Sequence, residues 1–321
     1  MRKIRNTWLG AACALFAVAS SASIAQAETG QAAASSAGTY NVWEWNVAGN
    51  TYHGGRSDTN MVSLASTSMV NRDADFAAFN ELCRGQYDEL INQLRGKNWP
   101  QDDTNFARFE ASRQAGNPDV CGGDAYGNAI FSKRPLGTAD RLTLTSDGTK
   151  EARNMLCAPL ANGSGVRFCG THLTTVNAIK YKQIDDIRNY MENRHKDGEK
   201  VLTAGDLNVQ PHYPSMDSVY SAAVSSNGNV DNFGAYRELD DADASNCLGY
   251  GETTTDIATT GNPCGRGPKL DFILVRETAL ASAGSYSADT LATSTDCTPV
   301  KTGTNGLCSD HRILTGTVTL R

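Results

Sequence analysis

Val201-Leu202-Thr203-Ala204-Gly205-Asp206-Leu207-Asn208 is a short apolar run that stops at an acid and an amide. Four apolar or β-favouring residues closed by glycine read as a buried strand. Gly205 permits a tight turn after it. Asp206 and Asn208 stand two apart, so an extended backbone points both the same way. The carboxylate can take a proton from water or hold a cation, and the amide can donate to a phosphate oxygen. The same residues also suit a plain turn, in which Asp and Asn bond their own backbone. The octapeptide alone does not separate the two.

Outward from it, strands and helices alternate. Val42 to Val47, Phe76 to Phe79, Ala129 to Phe131, Leu270 to Val275 and Arg312 to Leu320 read as strands. Met155 to Pro159 and Val166 to Gly170 flank the turn Asn162-Gly163-Ser164-Gly165 and read as a hairpin. Tyr87 to Leu94 and Lys180 to Arg194 carry apolar residues at helical spacing. Asn46, Glu81, His172, Asp206 and Asp310 all fall at strand ends or starts. Ionisable groups gathered at one rim of a buried sheet are a site-building pattern, because function concentrates where loops sit on a rigid scaffold.

Two further groups strengthen this. Ser309-Asp310-His311 places an acid beside an imidazole at the start of a strand, a pairing suited to cation binding and proton transfer. Asp271 lies in the apolar stretch Leu270 to Leu274. A buried carboxylate costs several kcal/mol unless paired, and a histidine is a suitable partner.

The order and spacing of these elements resemble the endonuclease/exonuclease/phosphatase family. The residues that carry the resemblance are Trp45-Asn46, Asn80-Glu81 (where the family commonly has Gln-Glu), GNAIFSKRP at 127–135, Thr171-His172-Leu173, GDLN at 205–208, Leu270-Asp271-Phe272 and SDH at 309–311. The resemblance implies a four-layered α/β sandwich, two packed mixed β-sheets flanked by helices. It implies in-line hydrolysis of a phosphodiester. Glu81 is then the principal metal ligand, with Asn46 supporting it and Asp310 a second carboxylate. Mg²⁺ suits such hard oxygen ligands, and Mn²⁺ or Ca²⁺ are alternatives. Asp206 orients or deprotonates water, Asn208 stabilises charge on phosphorus, His311 contacts the phosphate and shares proton work with Asp271, and His172 is the general acid. Lys133 matches a phosphate contact, and Glu110 is a partner for His172.

The chain begins with Arg2, Lys3 and Arg5, an apolar stretch from Trp8 to about Val18, and Ala25-Gln26-Ala27. That layout predicts a secretory signal peptide over 1–27, cut after Ala27. A flexible lead-in over 28–39 and a catalytic domain over 40–321 are expected to follow, with no transmembrane segment. The signal carries three basic and no acidic residues, so its removal takes the formal charge from −6 to −9. An acidic protein gains no long-range attraction to nucleic acid, which argues against a dedicated DNA-binding module but not against a metal-assisted nuclease. Cys13 leaves with the signal, and eight cysteines remain. In an oxidising compartment they are expected to pair with their nearest neighbours; no Cys-x2-Cys spacing suggests zinc.

These observations predict a secreted, extracellular, monomeric nuclease acting on DNA and RNA. The alternatives are a sphingomyelinase or phospholipase C acting on phospholipid, or a phosphomonoesterase acting on a small phosphate ester. A lipid enzyme needs an exposed apolar hairpin, and 213–256 reads as polar. An inactive binding subunit is disfavoured by retention of every expected polar residue.

Overall fold

The computed structural model describes residues 38–255, 262–293, 297–298 and 306–321. The expected signal peptide and residues 28–37 of the lead-in lie outside the described residues. The first strand, β1 (Gly38–Asn46), takes in the last two lead-in residues, because Gly38 and Thr39 pair with Leu320 and Thr319.

The first sheet contains β1, β2 (Phe76–Cys83), β3 (Ala107–Arg113), β4 (Tyr126–Ser132), β11 (Tyr286–Leu291) and β12 (Ile313–Leu320). Its order is β11-β12-β1-β2-β4-β3. The second contains β5 (Asp140–Thr143), β6 (Asn154–Pro159), β7 (Val166–His172), β8 (Lys200–Asp206), β9 (Tyr236–Glu238) and β10 (Asp271–Arg276). Its order is β5-β6-β7-β8-β10-β9. β1 and β2 run parallel, as do β7 and β8, so both sheets are mixed. Helices α1 (Asn60–Asn71) and α2 (Arg84–Gly96) accompany the first sheet and α3 (Asn177–Lys196) the second. The result is the expected four-layered α/β sandwich.

Side-chain parity explains the layering. Along a strand, alternate residues face opposite sides. Val42, Phe76, Ala78 and Ile130 of the first sheet meet Leu156, Phe168, Leu202, Ala204 and Ile273 of the second in one core between the sheets. Phe76 stacks on Phe168 across that gap, centroids 4.8 Å apart. The intervening residues Trp43, Trp45, Ala77, Phe79 and Phe131 pack beneath α1 and α2. Met155, Cys157, Cys169, Phe272 and Leu274 pack against the α3 side. Sheets covered on both faces give near-continuous apolar strands, as the sequence shows.

Disulfides join Cys83 to Cys121, Cys157 to Cys169, Cys247 to Cys264 and Cys297 to Cys308, each with its nearest neighbour as expected. Among the described residues, no helix is long and apolar enough to cross a membrane.

Candidate active site

The inward-facing parity that builds the central core turns polar at one end of the sandwich. Extending Val42 by four residues reaches Asn46, and extending Ala78 by two reaches Asn80. Ala204 leads in the same way to Asp206, Ile273 back to Asp271, Ile130 back to Asn128, and Leu156 back to Asn154. All six side chains are buried. A buried polar group must be hydrogen-bonded; five of these are linked to one another, and Asp271 bonds to His311. The Asp206 N–H donates to Asn80 Oδ1 at 2.8 Å. Asn80 Nδ2 donates to Asn128 Oδ1 at 2.9 Å, Asn128 Nδ2 to Asn154 Oδ1 at 2.9 Å, and Asn154 Nδ2 to Ser112 Oγ at 3.1 Å. This amide relay fastens the two sheets together beneath the site.

Asn46 Nδ2 donates both to Glu81 Oε1 at 3.2 Å and to Asp206 Oδ2 at 3.1 Å, joining the two expected halves of the site. Its Oδ1 accepts from the Ala48 N–H at 3.1 Å. In this orientation Asn46 bridges the Glu81 and Asp206 carboxylates through its Nδ2. Glu81 reaches the site because β2 breaks register between Phe79 and Leu82, with Glu81 at φ 57°. Non-glycine residues rarely adopt such angles, and where they do the position is worth inspecting. Burial, followed by the Glu81 carboxylate, pushes the pKa of the buried Tyr126 phenol well up. Tyr52 is raised by burial, then by Asp310 and Glu81. One phenol therefore lies within the field of both carboxylates.

Both expected histidines converge on Asp206. His172 Nε2 is 3.6 Å and His311 Nε2 3.7 Å from Asp206 Oδ2. His311 Nδ1 sits 2.8 Å from Asp271 Oδ2, the partner that the acid in the apolar strand required. The Ser309-Asp310-His311 turn is pinned to β1, since Ser309 Oγ donates to the Asn46 carbonyl at 2.7 Å and Trp45 Nε1 to the His311 carbonyl at 3.0 Å. Asp206, Asp271 and His311 form a buried group whose ligand atoms lie within 4.8 Å of one another.

Their protonation follows from burial and charge. Asp206 is pushed up to about 7, by burial first, with His311 opposing and Asp271 adding. Burial opposes charge on His311, but the Asp271 and Asp206 carboxylates outweigh it and raise its pKa well above the usual value. His172 is depressed well below the ordinary imidazole value by burial, then by Arg153 and His311. Asn208 Nδ2 lies 2.9 Å from the Leu173 carbonyl and 3.1 Å from His172 Nε2. An amide nitrogen is donor only, so in this state His172 Nε2 accepts and Nδ1 carries the proton. The imidazole expected as a general acid is thus neutral in the free protein.

Gly205 has a different task from the one its sequence context suggests. It lies inside β8, not in a turn after it, at φ 148°; a Cβ there would sit 1.9 Å from the Thr171 carbonyl oxygen of β7. The glycine lets the two strands that deliver His172 and Asp206 approach.

Lys133 does not join the site. β4 runs antiparallel to β2, so the residue after Ser132 emerges at the opposite end of the sheet from Glu81. There Lys133 Nζ pairs with Asp73 at 2.5 Å. Glu110 is not the partner of His172 either: it pairs with Arg141 at 2.6 Å. The acid near His172 Nδ1 is Glu151, at 3.7 Å. Glu151 and Arg153 lie in a loop with no strand-end signature, which is why the sequence concealed them. Glu44 was also missed. It is fully buried, both carboxylate oxygens lack a hydrogen-bond partner, and burial followed by Asp271 and Asp206 raises its pKa well above the usual value. Its parity, two residues before Asn46, was the available signal. In the segment read as polar, Val230, Phe233 and Leu248 are exposed, Phe233 to 69%.

The sequence model of the Endonuclease/Exonuclease/phosphatase family matches residues 44–311. No curated protein matches this chain. Among solved structures, an endonuclease/exonuclease/phosphatase from Beutenbergia cavernae DSM 12333 is similar at 17% identity and TM-score 0.57, covering 88% of this chain and 72% of that one. The human Nocturnin catalytic domain is similar at 16% identity and TM-score 0.57, covering 88% and 95%. Truncated Caenorhabditis elegans TDP2 is similar at 14% identity and TM-score 0.55, covering 87% and 97%. At such identities these structures speak for the fold.

Proposed function

The chain belongs to the endonuclease/exonuclease/phosphatase family, and from that premise we propose that it is a secreted, divalent-cation-dependent phosphodiesterase that hydrolyses DNA and RNA. The observation that carries this reading is that two imidazoles flank one carboxylate, one depressed in pKa chiefly by its burial and the other raised by its carboxylate neighbours. Groups whose environments push their pKa values apart divide acid and base work between them.

Glu81 and Asp310 are the residues that would hold the cation, ordered by Asn46 and Tyr126. Their hard carboxylate oxygens fit Mg²⁺, with Mn²⁺ or Ca²⁺ as alternatives. When bound, such a cation supplies positive charge to the phosphate oxygens. The protein's own groups do the rest. Asp206 takes a proton from the attacking water, and its raised pKa suits a base working near neutrality. Asp271 holds His311 as an imidazolium that binds a non-bridging phosphoryl oxygen. Asn208 donates to charge developing on phosphorus. The arriving phosphate anion favours the charged form of His172, which takes up a proton and gives it to the leaving oxygen as the P–O bond breaks. The protein acts as a monomer outside the cytoplasm, in keeping with its basic-then-apolar leader and four disulfides.

Plasmid DNA, RNA, sphingomyelin and a soluble phosphate monoester assayed in parallel, with Mg²⁺ and with EDTA, test this. Cation-dependent cleavage of nucleic acid is expected. Hydrolysis of sphingomyelin or the monoester alone would overturn the substrate assignment, and full activity in EDTA would overturn the metal.

A further inference from the structure

The loop from Leu144 to Arg153, between β5 and β6, is fixed on several sides. Leu144 N–H donates to the Arg153 carbonyl and Ala152 N–H to the Ser112 carbonyl, both at 2.9 Å. Thr145 N–H donates to Asp186 at 2.7 Å, Gln183 Nε2 to the Thr145 carbonyl at 2.7 Å, and Thr174 Oγ1 to Asp147 at 2.6 Å. The last bond ties the loop to the chain two residues past His172. A surface loop with no ordering task has no need of buried side chains as anchors.

What the loop presents to the site is one ion pair. Arg153, 9% exposed, places Nη1 2.8 Å from Glu151 Oε1. The contact is off the hydrogen-bonding direction, so that buried oxygen has no donor of its own. It faces His172 Nδ1 at 3.7 Å. Because His172 Nε2 accepts from Asn208, Nδ1 carries a proton, and the open acceptor lies 3.7 Å from that donor. Glu110 pairs with Arg141, whereas the carboxylate beside His172 Nδ1 is that of Glu151.

We propose that Glu151, held in place by Arg153, is the positioning residue for His172: it fixes the tautomer and stabilises the imidazolium that forms on substrate binding. The proposal rests on the reading of His172 as proton donor to the leaving oxygen. As His172 charges, the Nδ1–H to Glu151 contact shortens to a charge-assisted hydrogen bond.

Leaving-group dependence tests this. DNA expels an alkoxide that needs a proton, whereas bis(p-nitrophenyl) phosphate expels a phenolate that does not. His172→Ala is expected to lower kcat on DNA by about 10²-fold or more, within the range for a lost general acid. Glu151→Gln, of the same shape, is expected to lower it about 10- to 100-fold, as for other orienting partners. For both variants the loss in kcat on the nitrophenyl substrate should be smaller than that on DNA by about tenfold or more. Glu110→Gln should change neither substrate. Equal losses on both substrates, or none, in Glu151→Gln would overturn the proposal while leaving-group selectivity in His172→Ala leaves its parent reading standing. Absence of that selectivity in His172→Ala overturns both.

Discussion

Replacing Asp271 by asparagine removes one charge and almost no volume. Its carboxylate lies 2.8 Å from His311 Nδ1 and is fully buried. Unit charges about 4 Å apart attract by about 4 kcal/mol at an effective dielectric of about 20. An amide retains part of this through its dipole, so about 3–4 kcal/mol of support for the imidazolium is lost. At about 1.4 kcal/mol per factor of ten, kcat/KM should fall about 10²- to 10³-fold. The fold should not suffer in proportion. Asp271 is one cause of the upward push on Asp206 and on Glu44, so its neutralisation relieves repulsion among three buried acids. That relief offsets part of the support lost by His311, so the melting temperature should fall by less than the loss of imidazolium support alone implies, and the acid limb of the pH profile should shift little, because the Asp271 charge that raises Asp206 and the His311 charge that lowers it weaken together. Steady-state cleavage of plasmid DNA with Mg²⁺ between pH 5 and 9, alongside thermal melts, reads all three quantities. Retention of kcat/KM within about fivefold at pH 7 would refute the role given to the Asp271–His311 pair.

Asp206→Asn should abolish turnover yet stabilise the fold at alkaline pH. The folded carboxyl, pushed up to about 7 from the ordinary aspartate value of 3.8, gains a proton on folding between those pH values. Its contribution to stability therefore falls as pH rises from about 4 to 7. Differential scanning calorimetry should show the variant about 3–6 °C above the parent at pH 8, for roughly 1–2 kcal/mol in a domain of this size, with no gap at pH 4; an equal gap at both is the contrary result. Cys83→Ser with Cys121→Ser opens a loop with a sequence separation of 38, worth about 4 kcal/mol by chain entropy, and denaturant midpoints would measure it. Loss of less than about 1 kcal/mol would count against a structural bridge. Gly205→Ala drives a methyl group into the Thr171 carbonyl and should cost about 2–3 kcal/mol or more; a melting temperature equal to the parent's would mean that the strands separate freely.

Much of this was legible because each polar site residue interrupts an apolar strand at a definite parity. Asn46, Asp206, His172 and Asp271 stand where the inward-facing pattern demands an apolar residue and does not get one. The sandwich itself was what the family resemblance implied, and the order of these interruptions carried that resemblance. Glu81 was legible as a strand-end acid, but its approach was not, since a register break sets it. Helix α1 was missed because Ser63, Ser66, Thr67 and Ser68 mask its apolar face of Met61, Val62, Ala65 and Met69. Lys133 was misplaced because spacing along β4 does not reveal which end of the sheet it reaches. Glu151 and Arg153 could not be found by pattern, as their place depends on bonds to residues far away in sequence.

The chain of asparagines from Asn80 to Asn154 has a consequence for how this protein can vary. Each amide offers both a donor and an acceptor, so the relay closes only when neighbouring strands keep their relative offset. A slip of one residue would turn every side chain on a strand to the wrong side and strand several amides without partners. The relay thus works as a gauge of alignment, set beneath a centre whose proposed cation-binding acids ride on one sheet and whose proposed proton-handling groups ride mostly on the other. Insertions in the outer loops leave that gauge untouched, whereas exchange of one buried amide for an apolar residue would let the two halves drift before either had unfolded.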